Sequence, residues 1–132
     1  MYIHRLLSTK IKKLLTYFPA ILLTGARQTG KTTLLTRLFP EYLYTSLDLP
    51  SHAEQAENNS DSFLAQYPSP VIIDEIQYAP ELFRFLKSAI DAKRTEMGRF
   101  ILTGSQKFNL MKHASDSLAG RCAIMELENL SF

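Results

Sequence analysis

The chain contains a single cysteine, Cys122, among its 132 residues. A disulfide within the chain is therefore excluded, which favours a reducing compartment, and we expect the protein to act in the cytoplasm. The three histidines, His4, His52 and His113, are far apart in the sequence and none lies near the cysteine. Ligand spacing typical of a zinc site is therefore missing as well.

Long apolar runs are also missing. No segment approaches the roughly 20 consecutive apolar residues that a membrane-spanning helix requires. Arg5 near the amino terminus is not followed by an unbroken apolar stretch, which argues against a signal peptide. The charge is close to balanced, with 15 basic and 13 acidic residues. We therefore expect no membrane partner, and charge alone does not predict nucleic-acid binding.

Length and a hydrophobic content of 45% predict one globular domain with a single core. Residues 3–18 predict an amphipathic helix. Its apolar side chains recur at helical spacing and are Ile3, Leu6, Leu7, Ile11, Leu14, Leu15 and Phe18. Basic residues occupy the other face. A helix packed on the core is favoured over a basic helix on a membrane surface.

The rest of the chain alternates between predicted strands and helices. The strand predictions are residues 20–24, 42–47, 71–74, 99–103 and 122–127. The helix predictions are 31–39, a short helix starting at Ser51, one turn at 63–66, then 80–94 and 106–113. Ser51 and Glu54 have capping-box spacing, and Pro80 suits a first helical turn. This alternation predicts an α/β fold with a mostly parallel sheet.

A phosphate-binding pattern, G-x-x-x-x-G-K-T, follows the first predicted strand. Its residues are Gly25, Ala26, Arg27, Gln28, Thr29, Gly30, Lys31 and Thr32, and Thr33 comes next. Glycines allow the backbone to turn its amides toward phosphate oxygens, and the following helix adds its positive dipole end. Lys31 suits the β- and γ-phosphates, and the Thr32 hydroxyl suits Mg²⁺. For Arg27, a surface role and a phosphate contact are both open.

An acidic pair follows the third predicted strand, in the sequence VIIDE. Asp74 lies at the carboxyl end of that strand, where ligands bind in open α/β sheets, and is expected to support Mg²⁺. Glu75 is expected to orient and deprotonate a water molecule. Gln77 is a further candidate for placing water. The pair favours hydrolysis over transfer, and the absence of an N-K-x-D sequence favours ATP over GTP.

Taken together, the stretches GARQTGKTTLL, SLD, VIIDEIQYAPELF, RFILTGSQ and SLAGR resemble the ATPase domain of AAA-type P-loop ATPases. The most similar group is made up of prokaryotic ATPases that carry this domain ahead of a C-terminal domain of unknown function. The resemblance covers essentially the whole chain. It implies a three-layer αβα fold with a five-stranded sheet in the order 5-1-4-3-2.

The same resemblance implies roles for two residues outside the main motifs. Ser105 is the first choice for a γ-phosphate sensor, with Thr103 and Gln106 as alternatives; a helix N-cap is the other interpretation of Ser105. Arg121 lies in the region of the family's arginine finger. It is expected to stabilise transition-state charge in its own site or a neighbour's, with a structural salt bridge as the equal alternative.

The sequence stops soon after the fifth predicted strand, where relatives usually continue into a helical lid or another domain. We therefore expect an ATPase core, residues 1–132, with slow turnover because a closing element is missing. The predicted function is Mg²⁺-dependent ATP binding and hydrolysis. The alternatives are a nucleotide-gated binding module with little turnover, and a small-molecule kinase. A second copy or another protein is an expected partner, while a nucleic-acid role depends only on the basic face of the first helix.

Overall fold

The computed structural model describes residues 2–25, 31–105 and 107–126. The strands are β1 (Ala20–Thr24), β2 (Leu43–Ser46), β3 (Val71–Asp74), β4 (Phe100–Gly104) and β5 (Cys122–Glu126). The helices are α1 (Tyr2–Tyr17), α2 (Lys31–Leu38), α3 (Pro50–Asn58), α4 (Ser60–Gln66), α5 (Leu82–Ala92) and α6 (Lys107–Leu118), with a 3₁₀ turn at Ile76–Tyr78.

The five strands form one parallel sheet in the order β2-β3-β4-β1-β5. This is the predicted order 5-1-4-3-2 written from the other edge, so the fold prediction is confirmed. The register aligns Thr24 with Gly104 and Ser46 with Asp74. Because the strands are parallel, their carboxyl ends meet along one edge, and the motifs that follow them lie together there.

Side chains alternate between the two faces of the sheet and divide the core in two. One cluster joins Ile21, Ile72 and Ile101 to buried side chains of α1 and α2. The other joins Leu22 and Ile73 to buried side chains of the remaining helices. Helices therefore cover both faces of the sheet, which explains why the central strands β1, β3 and β4 are buried along their whole length, while the edge strands β2 and β5 are partly exposed.

The first helix packs on the sheet through Ile11 and Leu15, which are buried. Leu6 was predicted to lie on the same face, but it is 56% exposed. No helix in the parts of the chain that the structure describes is long and apolar enough to cross a membrane.

Several helix predictions were wrong in their details. The helix α4 begins at Ser60, three residues before the predicted turn at 63–66, and α5 spans Leu82–Ala92, so Pro80 precedes this helix. The capping box at Ser51 and Glu54 does not form, because α3 begins one residue earlier at Pro50, with Leu49 as N-cap and no side-chain cap. The last helix continues to Leu118, five residues beyond its predicted end. Buried residues Leu110 and Ala114, together with Leu118 itself, recur every four positions and extend its apolar face.

Candidate nucleotide and metal site

The centre of the candidate site is a contact between the two main motifs. The buried strand β3 ends in Asp74, whose side chain emerges at the carboxyl edge with only 6% exposure. Thr32, in the first turn of α2, donates a hydrogen bond from Oγ1 to Asp74 Oδ2 at 3.0 Å. The fold thus joins the end of the phosphate-binding pattern to the first residue of the acidic pair. A hydroxyl and a carboxylate oxygen are both ligands that Mg²⁺ accepts.

Two further hydroxyls donate to the Asp74 carboxylate. Tyr44 in β2 donates to Oδ2 at 2.9 Å, and Thr103 in β4 donates to Oδ1. Burial raises the pKa of Tyr44 to about 12, with further contributions from the charge of Asp74 and the hydrogen bond to it. Three donors from three neighbouring elements fix the orientation of Asp74, and their number suits a carboxylate that acts only as an acceptor.

Glu75 adopts a left-handed backbone conformation, with φ 57° and ψ 50°. Such a conformation is uncommon for a residue other than glycine and costs of order 1–3 kcal/mol. The fully buried Thr103 supports it by accepting the Glu75 N–H on Oγ1 at 3.1 Å. One threonine hydroxyl therefore contacts both residues of the acidic pair.

The Glu75 side chain belongs to a small polar cluster with Gln77 and Ser105. Gln77 donates from Nε2 to Glu75 Oε1 at 2.7 Å and to Ser105 Oγ at 3.1 Å. Ser105 Oγ lies 3.4 Å from the same Glu75 oxygen and donates to it. The predicted sensor and the predicted base are therefore in contact, although they are 30 residues apart in the sequence.

Most of the phosphate-binding pattern lies outside the described residues, namely Ala26, Arg27, Gln28, Thr29 and Gly30, together with the side chain of Lys31. Gln106, the alternative sensor, also lies outside them. Gly25 extends the sheet by donating its N–H to the Gly104 carbonyl at 3.2 Å, so this amide is engaged within the fold. Thr33 is exposed on α2.

Arg121 is not brought to this cluster. It precedes β5, whose first residue Cys122 pairs with Ala20 at the amino edge of the sheet, opposite the acidic pair. Its guanidinium makes two hydrogen bonds to Asp91, at 2.7 and 3.1 Å, which lower the pKa of that carboxyl. This geometry is that of the salt-bridge alternative, and stabilisation of transition-state charge in the chain's own site stays a prediction. A contribution to a neighbouring subunit stays a prediction.

Among the described residues there is no group of three or more histidine, cysteine, aspartate or glutamate side chains that would hold a metal ion. The oxygen pair of Thr32 and Asp74 is nevertheless the donor set expected for Mg²⁺ in nucleotide sites, where protein supplies one or two ligands and phosphates and water supply the rest. Tyr44 was missed by the sequence reasoning, because no local pattern connects a strand tyrosine to a carboxylate 30 residues later.

Comparison with known proteins agrees with this architecture. A family model described as "AAA domain" matches residues 17–132. Two curated relatives, uncharacterised proteins of Mycobacterium bovis and Mycobacterium tuberculosis, are each 34% identical over 132 residues, covering 94% of this chain and 28% of the relative. This chain therefore spans under a third of the length of those relatives.

Among solved structures, a Walker-type ATPase of Pyrococcus abyssi superposes with a TM-score of 0.65. The sequences are 18% identical, and the match covers 92% of this chain and 52% of the other. At that identity the likeness concerns the fold alone.

Proposed function

Because this chain belongs to the AAA domain family, we propose that it binds ATP together with Mg²⁺ and hydrolyses the bond to the γ-phosphate. An ATPase-type nucleotide-binding function follows from the family; the reaction and the metal are the proposal. The single observation that carries it is the Thr32–Asp74 hydrogen bond with Glu75 next in the chain, since it joins a metal-binding pair to a base.

For binding, we assign the phosphates to the backbone amides of residues 26–32 and to Lys31. Support comes from the position of this segment between β1 and α2, because amides that precede a helix and the helix dipole both attract anions. Thr32 and Asp74 are the proposed metal ligands. When bound, Mg²⁺ would supply positive charge that offsets the negative charge developing on the phosphate oxygens.

For hydrolysis, we assign the role of general base to Glu75. Its carboxylate accepts a proton from water while the water oxygen forms a bond to the γ-phosphorus. The bond from that phosphorus to the bridging oxygen breaks, and the electron pair leaves with ADP. Ser105, hydrogen-bonded to the same carboxylate, is proposed to contact the γ-phosphate or the water. The left-handed backbone of Glu75 supports a functional role, since strain of this kind clusters at active sites.

The test is phosphate release from ATP by the chain with Mg²⁺, beside the same chain with EDTA and beside Lys31→Ala. The proposal expects release only from the unmodified chain with metal. ATP binding without any release would instead support a nucleotide-gated binding module. Equal release in all three samples would contradict the proposed site. We place the reaction in the cytoplasm, which the single cysteine supports.

A further inference from the structure

Gln77 contacts the proposed base in a way that is not needed to build the fold. It lies in the 3₁₀ turn Ile76–Tyr78 directly after Glu75. Its amide nitrogen contacts both the Glu75 carboxylate and the Ser105 hydroxyl. The orientation of the amide follows from this pair, since the reverse orientation would place its carbonyl oxygen 2.7 Å from a carboxylate oxygen.

The other end of the same amide is left without a partner. Gln77 Oε1 is buried and receives no hydrogen bond from any residue in the described parts of the chain. Burying an acceptor without a donor costs folding free energy, and an apolar side chain of similar length would avoid that cost. The oxygen end of the amide therefore adds nothing to the stability of the fold, and what the glutamine supplies at this position is the pair of hydrogen bonds from its nitrogen.

Gly104 provides the space into which this oxygen fits. A Cβ atom added to Gly104 would lie 2.8 Å from Gln77 Oε1, closer than real Cβ atoms approach a neighbour. The amide is thus held between the end of β4 and the Glu75 side chain. Two hydrogen bonds restrain its nitrogen, and its oxygen occupies space that a side chain at position 104 would fill.

From these contacts we propose that Gln77 is a positioning residue for Glu75. This inference rests on the proposed function, in which Glu75 is the base. In the described residues, the hydrogen bonds to the Glu75 carboxylate from Gln77 and Ser105 both fall on Oε1. With Oε1 fixed, the carboxylate presents Oε2 to the attacking water in one orientation, and that oxygen takes the proton. Gln77 acts through Glu75, by holding this carboxylate in one orientation.

The test is a double-mutant cycle on phosphate release with Gln77→Met and Glu75→Gln, in which methionine keeps the length but has no amide. In the unmodified chain we expect Gln77→Met to lower kcat by about 10- to 100-fold, the cost of a misplaced catalytic group, with KM for ATP unchanged. In the Glu75→Gln background, the same change should alter the residual rate by less than about twofold, because the two residues act as a unit. The thermal unfolding midpoint is measured beside the rates and should change by the same amount in both backgrounds only if the hydrogen bond from Gln77 to position 75 does not contribute to stability.

Equal losses in both backgrounds, or no loss in the unmodified chain, would overturn the positioning role and leave the proposed hydrolysis standing. If Glu75→Gln releases phosphate as fast as the unmodified chain, the proposed function fails, and the inference fails with it. Should Gln77→Met not fold, Gln77→Glu preserves the size and places a second carboxylate beside Glu75. Gln77→Glu is then expected to lower kcat in the unmodified chain but not in the Glu75→Gln background. Equal losses of kcat in the two backgrounds would again overturn the inference.

Discussion

The hydroxyl of Thr32 lies 3.0 Å from the carboxylate of Asp74, across 42 positions of sequence. If both groups bind Mg²⁺ with ATP, Thr32→Ala removes one ligand and the affinity for Mg²⁺-ATP should fall about tenfold, in line with the loss of a hydrogen bond to a charged group. Affinity for ATP in EDTA should change little. Equilibrium titration with a fluorescent ATP analogue measures both values.

Thr36→Ala is the matched control for that prediction. Thr36 lies one turn later in the same helix, is exposed, and donates its hydroxyl to the backbone carbonyl of Thr32. Its removal should leave both affinities unchanged. An equal loss for the two variants, or a loss that persists in EDTA, would count against metal binding by Thr32.

The buried hydroxyl of Thr103 contacts both residues of the acidic pair. Thr103→Val retains the shape but leaves the Glu75 N–H without its acceptor, so the free energy of unfolding should fall by about 1–3 kcal/mol. Thr103→Ser keeps the hydroxyl and loses one methyl group, which should cost about 1 kcal/mol. Urea unfolding measures the free energy of unfolding of both variants. A serine variant less stable than the valine variant would show that Thr103 stabilises the fold through the packing of its methyl group and not through its hydroxyl.

Gly104 allows close packing against α6. A Cβ atom at this position would lie 2.0 Å from Leu110 Cδ1, so Gly104→Ala forces a side chain or the helix to move. We expect a loss of about 1–3 kcal/mol in unfolding free energy, as for other overpacked cores. The loss should shrink in a Leu110→Ala background, because the clashing methyl is gone. A full, unchanged loss there would place the cause in the contact with Gln77 or in the backbone rather than in Leu110.

The ion pair of Asp91 and Arg121 should stabilise the fold in a pH-dependent way. Hydrogen bonding to Arg121 lowers the pKa of Asp91 below its ordinary value of 3.8 in the folded state. The carboxyl therefore binds its proton more readily when unfolded, so the stabilisation is complete above that value and is lost as the pH falls through the lower folded-state pKa. A double-mutant cycle with Asp91→Asn and Arg121→Ala should show coupling at pH 7 and none in strong acid.

The same variants test the role of Arg121. Because Arg121 lies at the amino edge of the sheet, Arg121→Ala should leave nucleotide affinity unchanged in the isolated chain. Phosphate release by Arg121→Ala is also compared with release by the unmodified chain over a range of protein concentrations. A deficit of the variant that appears only at high protein concentration would support a contribution of Arg121 to a neighbouring subunit's site.

The three central strands, β1, β3 and β4, were predictable because each is a short, mostly apolar run buried on both faces. β1 and β3 match their predicted bounds, and the others differ by a residue or two at their ends within the described residues. The order of the strands followed from the resemblance to AAA-type ATPases and not from periodicity. The early start of α3 at Pro50 was missed because a proline at the first position overrides a capping pattern that begins one residue later.

The placement of Asp74 and Glu75 at the carboxyl edge of the sheet could be predicted from their position after an apolar run, but their supporting contacts could not. Tyr44 reaches Asp74, and Ser105 reaches Glu75, only because parallel pairing aligns the carboxyl ends of neighbouring strands. Such contacts depend on register and side-chain direction, neither of which leaves a local pattern. For Arg121, the resemblance to the family predicted a role but did not specify the edge of the sheet at which this residue lies. In the structure Arg121 lies at the amino edge, away from the acidic pair.

Single-turnover hydrolysis by Glu75→Gln tests the central claim most directly. Radiolabelled ATP and Mg²⁺ are mixed with excess protein, and bound ATP and free phosphate are followed in the same samples for this variant and the unmodified chain. Loss of the base should leave ATP binding intact and slow phosphate formation by about 100-fold or more, the usual contribution of a general base. Equal rates of phosphate formation in the two proteins would contradict the assignment of Glu75 and, with it, the proposed mechanism.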